Sequence, residues 1–588
     1  MTVEHVDVLI VGAGISGIGA GYHLKTMCPN RTYVILEGRD DIGGTWDLFR
    51  YPGVRSDSDM HTLGYRFKPW TDAKSIADGP AILSYLRETA SEYGIDRHMR
   101  FRHHVSRADW SSETSRWTVQ AQHSDPDTGE ATDVTYTCNY LFMCSGYYSY
   151  QGGYTPEFPG IDDFEGQVVH PQKWPEDLDD TGKRVVVIGS GATAMTLIPA
   201  MSRTAEHVTM LQRSPTYVVS RPDVDPIANG LRRVLPETVA YRITRWKNVA
   251  MQQFVYRRTR THPREVRAKL LDMVRKELGP DYDVDTHFTP SYDPWDQRLC
   301  LVPNSDLFRA IRSGKASVVT DTIDTFTPSG IRLASGAELE ADIVVTATGL
   351  QLVTLGEVEF VVDGEPVDFS RTWSYKGFAY SDVPNLASSF GYINASWTLR
   401  ADLVCEYVCR LLNHMDETGT AVCTPRLRPS DHDMPERPWI DGFTAGYMQR
   451  VMHLFPKQGD REPWINPRTT AATARCSARR RSSTAPCASP GRRRDTTLPA
   501  DRRLRRATTS PDRTPPRPTP GRARRPDRPR ARPPATHPVA AAGRPRSRRA
   551  ARDPARRPRR RGRPATRGAA RRPGAVGWHR WAHRARRR

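Results

Sequence analysis

Val6-Asp7-Val8-Leu9-Ile10-Val11-Gly12-Ala13-Gly14-Ile15-Ser16-Gly17 opens the 588-residue chain with a short β-prone run leading straight into a glycine turn. A helical stretch through Tyr22 and Leu24 follows, then a second apolar run, Tyr33-Val34-Ile35-Leu36, ending on Glu37. Strand, glycine turn, helix and strand, closed by an acid, is the context in which G-x-G-x-x-G binds a dinucleotide. Gly12 permits the tight turn, Gly14 lets backbone approach a pyrophosphate, and Gly17 lets helix and strand pack closely. The helix N-terminus then faces the phosphates, and Glu37 stands where a carboxylate holds a ribose.

A second copy begins at Arg184-Val185-Val186-Val187-Ile188, turns at Gly189-Ser190-Gly191-Ala192-Thr193-Ala194 and returns as Val208-Thr209-Met210-Leu211. Ala194 replaces the third glycine, at some cost in closeness of packing. No acid ends this strand. Gln212-Arg213-Ser214 stands there instead, and Arg213 suits a ribose 2′-phosphate, which selects NADPH over NADH. The fold class expected is α/β, with two Rossmann-like dinucleotide-binding domains. Leu231 to Gly279 is rich in Arg, Lys, Leu and Val at helical spacing, so a helical insertion is predicted over 221–297, its charges read as a solvated face.

Three further strings carry chemistry. Between the loops lies Phe164-Glu165-Gly166-Gln167-Val168-Val169-His170-Pro171-Gln172-Lys173-Trp174-Pro175; after the first loop comes Gly43-Gly44-Thr45-Trp46, continuing to Tyr51-Pro52-Gly53 and Asp57; and Arg298 follows Pro294-Trp295. Taken alone, the glycine pair reads as a loop, the histidine as a packed residue and the arginine as an ion-pair partner. Their combination, F-x-G-x-x-x-H-x-x-x-W-P flanked by two nucleotide loops, resembles the Baeyer-Villiger monooxygenases. The Arg298 segment is similar to that of the branch that activates thioamide prodrugs.

That resemblance, over about residues 5 to 467, implies FAD on the first loop, with Gly12, Gly14, Ser16, Gly17, Glu37, Gly44, Thr45, Trp46, Tyr51 and Asp57 around it. It implies NADPH on Gly189, Gly191, Thr193, Ala194 and Arg213, and Asn394 near the flavin ring at a helix start. Arg298 is the implied catalytic residue, with Asp57 beside it, because a permanently charged guanidinium stabilises an anionic flavin peroxide. Phe164, Gly166, His170, Trp174 and Pro175 form the fingerprint, with a conformational role for His170. No metal is expected. The apolar strands Tyr140–Met143 and Ile343–Thr346, each running on to a glycine, should mark chain crossings. The implied layout is FAD domain 1–150 and 351–468, NADPH domain 151–220 and 298–350, and helical insertion 221–297 between. The implied reaction inserts one oxygen of O2 beside a carbonyl, ketone to ester or lactone, with S-oxidation of organosulfur substrates as a related activity. An N- or S-oxygenating monooxygenase is the alternative, and an inactive flavoprotein with a nucleic-acid-binding tail is a reading of another class.

Composition breaks near Pro467. Residues 469–588 hold 38 arginines and five aspartates with no Lys or Glu, so this segment carries +33 and the first 468 residues carry −12 of the formal +21. Without Ile, Phe, Tyr or Met it cannot bury enough apolar surface to offset chain entropy, so disorder is expected. Its Arg, Pro, Ala and Gly are spelled by GC-rich codons, which fits a coding frame slipped near Arg468 better than a nucleic-acid arm. No nucleic-acid partner is expected for residues 1–468. Nine cysteines show no disulfide or zinc spacing, and no apolar run reaches the ~18 residues of a bilayer span. A reducing cytoplasm is the expected compartment, with peripheral membrane association left open.

Overall fold

The computed structural model describes residues 3–470, 472–474 and 495–497. The disorder expected for 469–588 therefore concerns residues that, past Ala474, lie outside the described ones except for 495–497. Within the described part the chain runs on past the compositional break in packed form: Thr473 is buried, and its hydroxyl oxygen meets that of Tyr392 at 2.5 Å.

Strand β1 (Glu4–Val11) is flanked by parallel partners, so Val8, Leu9 and Ile10 are wholly buried and the strand reads as a continuous apolar run. Helix α1 (Ile15–Met27) carries the chain to β2 (Tyr33–Leu36), whose Val34 lies opposite Leu9. On the other side β3 (Ala131–Met143) places Leu141 opposite the same residue. Antiparallel strands His103–Ser111 and Arg116–Ser124 extend this sheet beyond β3. Small residues let α1 lie close to it: a Cβ on Gly17 would run into the Gly12 carbonyl oxygen, and one on Gly21 would lie 2.6 Å from Ile95.

After β3 the chain leaves through β4 (Tyr148–Gly153) to β5 (Gln167–Val169), β6 (Arg184–Ile188), helix α2 (Ala192–Met201) and β7 (His207–Gln212). Helices α3 (Pro226–Val234), α4 (Glu237–Thr261) and α5 (Pro263–Leu278) follow, then the shorter Val284–His287 and Asp306–Arg312, before β8 (Ala316–Thr320) and β9 (Ile343–Thr346) complete a second sheet. Its order is β8-β7-β6-β9-β5 and every pairing is parallel. The return segment β10 (Leu350–Leu352) pairs antiparallel with β4, Leu352 opposite Tyr148. Outgoing and returning chains thus form one two-stranded ribbon. The chain then rejoins the first sheet at Glu359–Val362 and at β11 (Leu386–Ser388), parallel to β3.

Helix α6 (Thr398–Thr418) covers α1, with Val404, Val408 and Leu412 in the same core as Ile18 and Leu24. Gly419, at φ 64°, ends it in the left-handed conformation that favours glycine. The α4 helix docks by polar contacts: Arg245 donates to the carbonyls of His61, Thr62 and Gly64, and Asn248 and Gln252 donate to Asp59. Arg245 is buried but satisfied, so breaking this cluster would cost more than any surface pair.

Candidate functional site

Two glycine backbones meet at the mouth of α1. Gly12, at φ 106°, turns where a Cβ would lie 2.6 Å from the Cys144 carbonyl oxygen. A Cβ on Gly14 would lie 3.5 Å from the Gly44 Cα, and the Gly43 amide donates to the Ala13 carbonyl at 3.2 Å. No side chain caps α1, so its first amides are left for an anionic group. Glu37 is 1 % exposed and accepts from the Ala13 amide at 2.7 Å and the Arg39 amide at 3.0 Å. Burial pushes its carboxyl up against those bonds. Glu37, expected to hold a ribose, therefore also braces the loop, while each oxygen keeps a further lone pair. Ser16 is buried, bonded to Trp397 Nε1 at 2.8 Å and to the Ser389 hydroxyl at 3.1 Å. Thr45 is exposed and Trp46 half-buried on the turn Thr45–Leu48.

The second loop is more open. Gly189, at φ 130°, lies where a Cβ would strike the Ala347 carbonyl oxygen, whereas a Cβ on Gly191 meets nothing within 4 Å. Ala194 is fully buried and α2 has no side-chain cap. Thr193 hydrogen-bonds Tyr51, whose phenol burial pushes up to about 12. The Pro52-Gly53 turn rests on α2, with a Gly53 Cβ 2.8 Å from Ala200. The string after the first loop thus touches the helix after the second. Past β7, Gln212 is spent internally on the His287 carbonyl and Thr320, but Arg213 is exposed and makes no hydrogen bond or ion pair among the described residues.

Both cradles accept a dinucleotide on physical grounds: bare backbone at Gly14, Gly44 and Gly191, uncapped helix N-termini, and an unpaired arginine beside the second.

Arg298 Nη1 and Asp57 Oδ2 form an ion pair at 2.7 Å, joining segments 241 residues apart. Arg298 is half-buried. Burial alone would lower its pKa, yet Asp57 and the hydroxyls of Tyr447, Tyr147 and Tyr148 outweigh that and hold it well above the usual range. The guanidinium stays charged. The preceding turn is strained and clamped: Trp295 sits at φ 71°, costing about 1–3 kcal/mol for a bulky residue. Thr444 donates to the Asp296 carbonyl at 2.7 Å, and Arg260 pairs with Asp296 at 2.6 Å. Trp295 lines a pocket together with Asn394, Tyr256, Tyr392 and Phe443.

The fingerprint is spread over the crossing. Phe164 is buried, and Gly166 is required because a Cβ would lie 2.6 Å from the Asp342 carbonyl oxygen and against the Phe164 ring. His170 Nδ1 accepts from the Gln172 amide at 3.1 Å, so its Nε2 carries the proton and donates to the Gly349 carbonyl at 3.3 Å. The ring is accommodated by Gly153, where any Cβ would collide with it. Burial holds His170 below the ordinary histidine range. It joins the incoming fingerprint to the returning chain. Trp174 and Pro175 are half-buried, Trp174 against the second sheet's core. His170→Ala should leave the Gly12–Gly17 cradle intact but slow turnover about tenfold by loosening the ribbon, as steady-state kinetics and hydrogen exchange over 346–353 would register.

The sequence reading missed the tyrosines. Tyr147 and Tyr148, hydroxyls 2.9 Å apart, follow the β3 exit, and Tyr147 stacks on Trp397 with ring centres 5.4 Å apart. Tyr147 and Tyr148 were in view as aromatics after a strand exit; Tyr447 arrives from 149 residues beyond Arg298 with no local signal. Seven cysteines are free and buried, and no metal-binding cluster occurs among the described residues. Nor is any described helix long and apolar enough to cross a membrane.

Residues 5–228 match the flavin-binding monooxygenase-like family. The FAD-containing monooxygenase EthA of Mycobacterium tuberculosis is 57 % identical over 462 residues, covering 78 % of this chain and 93 % of its own. The probable FAD-binding monooxygenase AlmA of Acinetobacter baylyi is 48 % identical over 462 residues, covering 78 % and 91 %. Among solved structures, an oxidised steroid monooxygenase bound to NADP shares the fold at TM-score 0.61 and 24 % identity, over 73 % of this chain and 88 % of that one. Cyclohexanone monooxygenase in its open form matches at TM-score 0.61 and 22 % identity, over 73 % and 91 %.

Proposed function

We propose, from the premise that this chain belongs to the flavin-binding monooxygenase-like family, that it is an FAD- and NADPH-dependent Baeyer-Villiger monooxygenase. The overall change is ketone + O2 + NADPH + H⁺ giving ester or lactone + NADP⁺ + H2O. FAD, when bound, takes hydride from NADPH and activates dioxygen; the hard chemistry is the cofactor's. What the chain supplies is placement and charge.

The Gly12–Gly17 turn and the backbone at Gly44 hold the FAD pyrophosphate, with Glu37 fixing the geometry of the loop. Gly191, Thr193 and the α2 N-terminus hold the NADPH phosphates, and Arg213 pairs with the 2′-phosphate. His170 ties the ribbon that connects the two sheets. Arg298 stabilises negative charge that develops on oxygen during transfer, and Asp57 orients it. The ion pair of Arg298 with Asp57, which ties the string after the first loop to a segment 241 residues on and has Tyr147, Tyr148 and Tyr447 in its electrostatic surroundings, is the observation that carries this reading.

S-oxygenation of organosulfur compounds is the second reading, favoured by the similarity of the Arg298 segment to the thioamide-activating branch. Purified protein should be yellow with bound FAD, and NADPH consumption over a panel of ketones and thioethers, with products identified by mass, separates the two. Ester from ketone establishes the first; sulfoxide with no ester from any ketone refutes it. Arg213→Ala should raise KM for NADPH about tenfold or more and leave KM for NADH nearly unchanged, because a charge-assisted arginine–phosphate bond contributes about 1.5–3 kcal/mol.

A further inference from the structure

We infer that the outer face of α4 docks this protein on an anionic phospholipid bilayer. Nine of the fourteen large apolar side chains exposed among the described residues lie between 224 and 255. They are not scattered: Val239, Ile243, Trp246, Ala250 and Phe254 follow i, i+4, i+7, i+11, i+15 and share one stripe along a 25-residue helix. Trp246 is 74 % exposed and Phe254 61 %. The opposite face of the same helix carries Tyr241, Arg245 and Asn248, which hold it on the loop after Asp57. Neither face is left over from the other. The inner one packs, and the outer one is apolar with nothing in the described chain covering it.

Charge decides which partner fits. Residues 238–264 contain seven arginines and lysines and no acid, within a body whose first 468 residues carry −12; Arg245, Lys247, Arg258 and Arg260 pair with acids outside that span, which leaves Arg242, Arg257 and Arg264 without an ion pair among the described residues. Arg242 lies on the stripe's flank and Arg257 at its end; both are exposed and make no ion pair among the described residues. An apolar stripe with Trp and Phe, rimmed by free guanidinium groups, matches a lipid interface, where aromatic rings enter the headgroup region and long cationic side chains reach the phosphates. A second copy seated symmetrically on this face would bring the same arginines together without an acid between them, and that disfavours a dimer.

Helix α4 also lends Tyr256 to the cavity that holds Trp295 and Asn394. A docked helix would therefore set one wall of that cavity beside the bilayer. The inference does not depend on which substrate is oxidised.

The test uses the full chain and vesicles of equal parts phosphatidylcholine and phosphatidylglycerol, with the phosphatidylcholine brominated in its acyl chains. The chain has 13 tryptophans, so quenching is read as the difference between wild type and Trp246→Phe, which keeps the stripe apolar. Wild type should lose Trp246 emission on these vesicles, and the difference should vanish with unbrominated lipid. In a second arm, Trp246→Glu with Phe254→Glu should weaken partition about tenfold, from the loss of two buried aromatic side chains. Both substitutions lie on exposed positions, and unchanged near-ultraviolet circular dichroism confirms folding. Equal quenching in wild type and Trp246→Phe overturns the inference, since the arginine-rich segment would then hold the protein to the lipid with α4 outside. So does a dimer in light scattering that the double substitution returns to monomer.

Discussion

Arg298→Ala should lower oxygenated product about 10²- to 10³-fold while NADPH oxidation continues, its electrons now leaving as hydrogen peroxide. The asymmetry follows from where the guanidinium stands. Arg298 bonds Asp57, has Tyr147, Tyr148 and Tyr447 in its surroundings, and makes no hydrogen bond to the Gly12–Gly17 or Gly189–Ala194 backbones among the described residues, the loops proposed to hold the two nucleotides. Removing it takes a fixed positive charge from the oxygen-transfer step but leaves both cradles whole. Stability should change little, because the side chain is half-buried and its partner Asp57 is 49 % exposed, so no stranded interior charge results. Arg298→Lys should recover only part of the activity: an ammonium keeps the charge but on a shorter side chain that places it differently beside Asp57. Product yield per NADPH, measured alongside peroxide release, is the deciding quantity. Normal coupling in Arg298→Ala would remove the residue from the mechanism.

Sequence made the two nucleotide loops readable because each is local: a buried strand, a turn that needs positive φ, and a helix start, all within about thirty residues. Gly12 and Gly189 have that φ, and β1–β2 and β6–β7 pair as the pattern required. The helical insertion was legible too, from its periodicity; α5 exposes the charges that were read as a solvated face, whereas the outer face of α4 is largely apolar. What escaped is what long-range packing decides. Tyr447 enters the electrostatic surroundings of Arg298 only after the chain has crossed between sheets twice, and Trp397 reaches Ser16 across 381 residues. Glu37 was readable as an acid ending β2. Its bonds to Ala13 and Arg39 depend on loop geometry that no spacing encodes.

Gly17→Ala should give a protein that folds poorly and retains little FAD. Its Cβ would run into the carbonyl oxygen of Gly12, a backbone atom rather than the free end of a side chain. Gly12 cannot yield, since its amide is bonded to the Leu36 carbonyl at 2.7 Å, and on its other side it lies close against the Cys144 carbonyl. Either α1 moves off the sheet or the turn opens, and in both cases the amides that face the pyrophosphate are displaced. Overpacking of this kind costs about 1–3 kcal/mol, and lost FAD removes ligand stabilisation as well. Gly191→Ala is the matched control. Its φ of −80° suits alanine and its Cβ has open space, so this variant should melt like wild type and stay yellow while KM for NADPH rises. Thermal melts and flavin absorbance on the two purified variants compare directly. A fully yellow Gly17→Ala protein with the wild-type Tm would mean that α1 does not need the close seat on β1 from which the first cradle is built.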